Sequence, residues 1–301
     1  MINSLLLPLV VGMILFVLNS PLIHIFEGRP AWLRQGLLSP LTKGNRKRCK
    51  KLYGNLVDLQ KMYLQVNTRI LQTHSAEEQL KLRQQLAGLA QQIEEEHEKI
   101  EKEQPLQTLP RDIDRVCPTS FGNAYASAEE YSYERYGIDS VLFWTRLRGL
   151  MQDKAPGHSL QLTQQKTVLD LAINSAFLSS LLALEAALTM IFSRYHNLLL
   201  VLAVTALILS ISFYKSSVAA IQVLGELIKT SFDYHRGLVL EAFNLNMPDD
   251  LSKEQVIWVK LATFIRRGDA FYFPSEARKP ENKNNEVEEE KKTDSNVNLQ
   301  S

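Results

Sequence analysis

The chain has 301 residues, 45% of them apolar, and its charges sum to +1. That content suits one or two folded domains, and the near-neutral balance lacks the basic excess of a nucleic-acid surface, so no nucleic-acid partner is expected. The two cysteines, Cys49 and Cys117, form no CxxC pair and give neither a metal site nor a disulfide framework. No metal or cofactor is expected.

Residues 1–28 open with an apolar run from Leu5 to Phe26, interrupted by Pro8, Asn19, Ser20, Pro21 and His24. A cleaved signal peptide needs basic residues before the run and small residues at a cleavage site. Met-Ile-Asn-Ser and Asn-Ser-Pro-Leu-Ile-His supply neither, which predicts a retained transmembrane anchor. Residues 29–51 form a basic juxtamembrane segment: between Glu27 and Lys51 there are eight Lys or Arg against the single acid Glu27. The positive-inside rule then places the N-terminus outside and Arg29 onward in the cytosol. Within this segment Arg46, Lys47, Arg48, Lys50 and Lys51 suit anionic lipid headgroups, about 1 kcal/mol each near the surface. A plain topology signal is the weightier explanation for them.

Residues 52–104 carry a coiled-coil pattern. Apolar side chains fall at Leu52, Leu56, Leu59, Tyr63, Val66 and Ile70, alternating four and three, and the alternation restarts at Leu82, Leu86, Leu89, Ile93 and Ile100. Between the runs, Ser75 and Glu78 have the spacing of a capping box. This predicts two helices folded into an antiparallel hairpin, with one interrupted helix as the alternative. Pro105 and Pro110 end the helix and open residues 105–165. There, five aromatics between Tyr125 and Phe143 are interleaved with Glu129, Glu130, Glu134, Arg135 and Asp139, and Trp144 and Arg146 follow. Helices are predicted over Ala124–Tyr136 and Val141–Leu150, the second at a membrane surface with Trp144 at headgroup depth.

Residues 166–215 are a predicted transmembrane hairpin. Leu171 to Phe192 is 22 residues with one charge, Glu185, about 33 Å of helix against a hydrocarbon core of about 30 Å. Five residues link it to the second run, Leu198 to Tyr214, which forces the helices antiparallel. A carboxylate at Glu185 is costly in a bilayer and so a functional candidate. It is either satisfied by Asn19, Ser20 or His24 of the first span, or Thr205 or Ser210 of the third, or it serves an ion or proton. Residues 216–272 read as one long helix from Ser216 to Asn246 and a further helix ending before Gly268, with Ser252 and Gln255 able to cap it. Asp233, His235 and Arg236 lie together on the first. Residues 273–301 have the composition of a disordered tail.

Across the hairpin, Pro118, Thr119, Gly122, Asn123, Ala128, Glu129, Tyr136, Gly137, Asp139, Trp144, Arg146 and Leu147 are followed by Phe232, Asp233 and Arg236. Over roughly residues 111 to 265 this order resembles a family of uncharacterised bacterial integral membrane proteins. Its core reads Pro-Thr-x-Leu-Gly-Asn, Tyr-Gly-Leu-Asp and Trp-Pro-Arg-Leu, then a hydrophobic hairpin and Phe-Asp-x-x-Arg. Ala126 stands where the pattern has arginine, which removes an ion-pair partner, and Thr145 where it has proline. The family has no established activity, so the resemblance implies architecture and topology without a reaction.

The expectation is an all-α integral membrane protein of the bacterial inner membrane. It has three transmembrane helices, the N-terminus outside, the C-terminus in the cytosol, and a cytosolic helical region that includes the coiled-coil hairpin. Asn123, Glu129, Arg135, Asp139, Trp144, Arg146, Asp233 and Arg236 are expected to form a carboxylate and guanidinium network. Functionally the chain reads as a membrane-anchored scaffold, bound to lipid and to a protein partner or another copy of itself. An oligomeric channel or transporter subunit using Glu185 is the alternative. A membrane-surface enzyme around Glu129, Asp139 and Asp233 is third, although no HExxH, GxSxG or phosphate-cradling glycine loop occurs.

Overall fold

The computed structural model describes residues 2–73, 75–103, 108–192 and 194–271, with residues 2–11 and 16 described by backbone alone. All regular elements of these residues are helical. The α-helices in order are α1 Ile2–Glu27, α2 Ser39–Gln72, α3 Ala76–Glu103, α4 Ser120–Tyr136, α5 Ser140–Lys154, α6 Pro156–Phe192, α7 His196–Ala242 and α8 Leu251–Arg267, with a π-helical turn Leu33–Leu37 before α2 and a 3-10 turn Ile113–Arg115 before α4. The expected tail and the expected break at Pro105 lie outside the described residues.

Two predicted boundaries fall inside helices. α6 runs 37 residues and α7 47 residues, so each continues well past its apolar stretch. No Pro lies within either continuation, Leu160–Asp170 or Lys215–Ala242, and α7 passes through Gly225 and Gly237 without a break. α4 and α5 likewise begin earlier than predicted, at Ser120 and Ser140. The cap of α8 is Asp250 rather than Ser252, its carboxylate accepting from the backbone N–H of Ser252.

The described chain divides into two compact units, with boundaries inside α4 and α7. One comprises the chain up to Ser132 together with Gly157–Thr230, and the other Tyr133–Pro156 together with the chain from Ser231.

In the first unit, α2 and α3 pack against each other across a short link. Leu56, Val66, Leu89 and Ile100 are buried, and Leu52, Leu59, Tyr63, Ile70, Leu82, Leu86 and Ile93 are partly buried, so burial follows the four-three spacing of the sequence. Ile93 and Ile100 share a core with Leu52, Tyr53 and Leu56 at the ends farthest from the link, which makes the two helices antiparallel. That core also takes in Cys49, Leu109 and Val116. Cys49 Sγ donates to the Pro110 carbonyl at 3.3 Å and Tyr53 Oη to that of Leu109 at 3.1 Å, tying the segment after α3 to α2.

α6 and α7 are also antiparallel. His158 bonds the Leu227 carbonyl, Gln165 donates to that of Ala220 and Ser210 to that of Ala176. As the residue number rises on α6 it falls by nearly the same step on α7. Between them sit small side chains, Ala172, Ala176, Ala186 and Ala206, all buried, the composition that lets helices approach closely where water supplies no driving force. Both helices are long and apolar enough to span a membrane. Their outer faces expose Leu181, Leu184, Leu188, Val201, Leu207 and Ile208, which a helix in the core of a water-soluble domain would bury.

Candidate functional site

Where α1 ends, the chain turns through Gly28 at φ +72°. The Gly28 N–H bonds the Ile25 carbonyl and the Arg29 N–H that of His24, a left-handed helix stop that favours glycine. The Pro118-Thr-x-x-Gly-Asn motif is built around this turn. Thr119 Oγ1 donates to the Phe26 carbonyl at 2.7 Å and accepts from the Gly122 N–H at 2.9 Å, opening α4. Asn123 Oδ1 accepts from the Cys117 N–H at 2.7 Å, and Asn45 of α2 donates to the carbonyls of Cys117 and Pro118. Gly122 is required by proximity: a Cβ there would stand 2.2 Å from the Glu27 carbonyl oxygen. Phe26 packs edge-on to Phe121 and also meets Tyr214.

Charges lock the same corner. Arg29 pairs with buried Glu27 and with Glu129, and Arg115 with Glu129 at 3.1 Å. Buried Glu130 accepts from the backbone N–H groups of Arg111 and Asp112 at 2.8 Å each. Tyr125 lies under Arg29, and burial, reinforced by Glu129, pushes its hydroxyl up to about 12. Cys49, fully buried, is raised by burial to about 11, which opposes thiolate formation at neutral pH.

A second cluster occupies the other unit. Arg236 bonds Glu254 through Nε at 2.7 Å and stacks over the Tyr136 ring at 4.0 Å. Tyr136 Oη donates to Asp233 at 2.7 Å, and burial together with that bond raises its pKa. Glu254, itself buried, also accepts from Trp258 Nε1 at 3.0 Å, and Trp258 meets Phe143 edge-on. Asp139 caps α5 through the Leu142 N–H and pairs with Arg266. Trp144 packs on Phe232.

Of the eight predicted network residues, Asn123 and Glu129 therefore serve the first cluster, and Asp139, Trp144, Asp233 and Arg236 the second. Arg135 contributes its backbone carbonyl, to Gln255, while the Arg146 guanidinium donates to the Leu142 carbonyl of its own helix. Sequence reasoning missed Glu27, Glu130 and Glu254. For Glu254 the signal was present, an acid in phase with Trp258 and Leu261 on the buried stripe of α8.

Glu185 is exposed on α6. Two of its expected partners are engaged elsewhere, Ser210 with Ala176 and His24 with Glu27, and no side chain among the described residues bonds its carboxylate. Of the basic cluster, Lys47, Arg48, Lys50 and Lys51 are exposed, whereas Arg46 is partly buried near Asp114. No group of three or more His, Cys, Asp or Glu side chains among the described residues is placed to hold a metal ion. The chain matches no protein-family model, no curated protein and no solved structure.

Proposed function

We propose that the chain is a scaffold of the bacterial inner membrane, in the family whose motifs it resembles, anchored by α1, α6 and α7. α2 and α3 form a cytosolic coiled-coil hairpin that binds a protein partner or a second copy. The single observation that carries this reading is the burial pattern of α2 and α3. Their inner stripe is covered, while outer side chains along 34 and 28 residues of helix stay open, on a chain whose α6 and α7 expose apolar faces. The buried carboxylates described above are held by guanidinium groups or backbone N–H, a pattern of joints rather than of reacting groups.

The test is the mass of the particle extracted in mild detergent, with whatever copurifies. Full-length protein is compared with a version lacking residues 60–90 and joined by a short glycine loop, which keeps the core around Tyr53, Leu56 and Ile100. A larger assembly that the shortening abolishes is the expected result. A monomer in both cases sinks the scaffold.

A second reading is favoured by one observation, the exposed carboxylate of Glu185 on an apolar face. Such a group in a bilayer calls for a partner or a wet path, as in an oligomeric channel or transporter subunit. Ion flux in reconstituted vesicles that is lost in Glu185→Gln supports it, and flux unchanged by that substitution removes Glu185 from the role.

A further inference from the structure

The open faces of α2 and α3 carry matching stripes. On α2, Lys43, Lys50, Val57, Leu64 and Leu71 recur every seven residues. On α3, Leu80, Ala87, Glu94 and Glu101 do the same. None belongs to the internal seam. Val57, Leu64, Leu71 and Leu80 are 38%, 63%, 81% and 59% exposed, and the remaining members are exposed as well. At about 100° per residue, each stripe stands roughly 130° from its helix's buried seam, in the same rotational sense. Because the helices run antiparallel, equal rotations of one sense bring both stripes to the same side of the pair.

We propose that this side is a docking surface for a second copy of the chain, a reading that rests on the scaffold proposal and names its partner. A twofold axis along the helices sets α2 of one copy beside α3 of the other, antiparallel, with link beside link. Both stripes advance by sevens, so the match holds along their length. Leu71 meets Leu80, Leu64 meets Ala87, Val57 meets Glu94 with Lys61 one turn away, and Lys50 meets Glu101. The apolar ends attract near the links and opposite charges face each other at the far ends. The same pairs recur across the axis, as an isologous interface requires. Exposed ion pairs are individually weak, so here the charges fix register and partner while Leu64, Leu71 and Leu80 supply the attraction. Two copies joined in this way have their links at the same end, which suits two chains anchored in one membrane.

Charge reversal in pairs of variants tests this on the full-length protein in mild detergent. Lys43→Glu with Lys50→Glu makes both stripes acidic, and Glu94→Lys with Glu101→Lys makes both basic. All four substitutions lie on exposed helix positions, and the melting temperature of each variant verifies that the fold is kept. Each variant alone is expected to dissociate, its dimer dissociation constant rising at least about tenfold, and an equimolar mixture of the two to regain the wild-type mass. A thiol cross-link between Leu64→Cys in one tagged copy and Ala87→Cys in another is expected only across copies. Wild-type mass in both reversed variants overturns the proposal. So does a loss in the lysine variant that the mixture does not restore, because those lysines then act on anionic lipid. If shortening α2 and α3 lowers the mass while the reversed variants keep theirs, the scaffold survives and this face is wrong. If shortening also changes nothing, both readings fall.

Discussion

At the scale of single residues, Gly122 and Gly88 make opposite predictions although both lie in helices. The carbonyl of Glu27 occupies the place a Gly122 side chain would take, whereas nothing lies within 4 Å of a Cβ at Gly88. Gly122→Ala must push backbone apart and is expected to cost about 1–3 kcal/mol, read as a lower melting temperature of the solubilised protein. Gly88→Ala is expected to be neutral or stabilising by about 0.5 kcal/mol, since alanine loses less entropy in a helix. Equal effects would show that the turn after α1 does not rest on α4. Cys49 gives a pH signature. Its thiol ionises at about 11 in the folded chain against an ordinary 9.0, with burial the chief cause. The stability it contributes is therefore complete below pH 9 and fades as pH rises from about 9 towards 11. A maleimide reagent at neutral pH is expected to leave Cys49 unlabelled until the chain is denatured, and fast labelling of the native protein would contradict its burial.

At the scale of elements, α8 is held by one buried carboxylate alongside the Asp139–Arg266 pair and the bond from Gln255 to the Arg135 carbonyl. Glu254 satisfies both the Arg236 guanidinium and the Trp258 indole N–H, so Glu254→Ala strands the buried indole N–H, removes an ion-pair partner from the half-buried guanidinium, and is expected to cost about 3 kcal/mol. Glu254→Gln keeps an acceptor of the same shape and should cost less. Comparing the melting temperatures of the two variants separates the bonding from the packing, and equal losses would assign the effect to shape. The same helices show how far pattern reading reaches. The four-three spacing identified the covered stripes of α2 and α3 because burial on a helix repeats every 3.6 residues whatever lies opposite. It could not tell that α6 begins as early as Pro156, or that α7 runs without a break into the helix expected from Ser216, since helix propensity changes little when a helix leaves an apolar stretch. Nor could it place Asp250 as the α8 cap, where Asp249, Asp250 and Ser252 compete within four residues and geometry alone decides.

At the scale of the whole molecule, the membrane reading makes a prediction about sidedness. The basic residues between Arg29 and Lys51 against the lone Arg194 in the link of α6 and α7 call for that link and the N-terminus outside, and α2, α3 and α8 inside. Single cysteines introduced at Arg194 and at Lys61 in intact cells, probed with a membrane-impermeant maleimide, are expected to label at Arg194 and not at Lys61. The reverse pattern inverts the topology, and labelling at both positions removes one span.

By itself the sequence determined the all-helical class, the covered stripes of α2 and α3, and the two segments apolar enough to cross a bilayer. These follow from composition and from periodicity along a single helix. Only the tertiary structure decided the polar partnerships. Glu27, Glu129 and Glu130 converge on the turn after α1 in one unit, and Glu254 meets Arg236 and Trp258 in the other. Glu185, expected either to be satisfied by a polar residue of another span or to serve an ion or proton, is exposed on α6. The reason is physical: a hydrogen bond needs its two atoms within about 3 Å, and which residues distant in sequence come that close is set by how helices cross, a property no single helix contains.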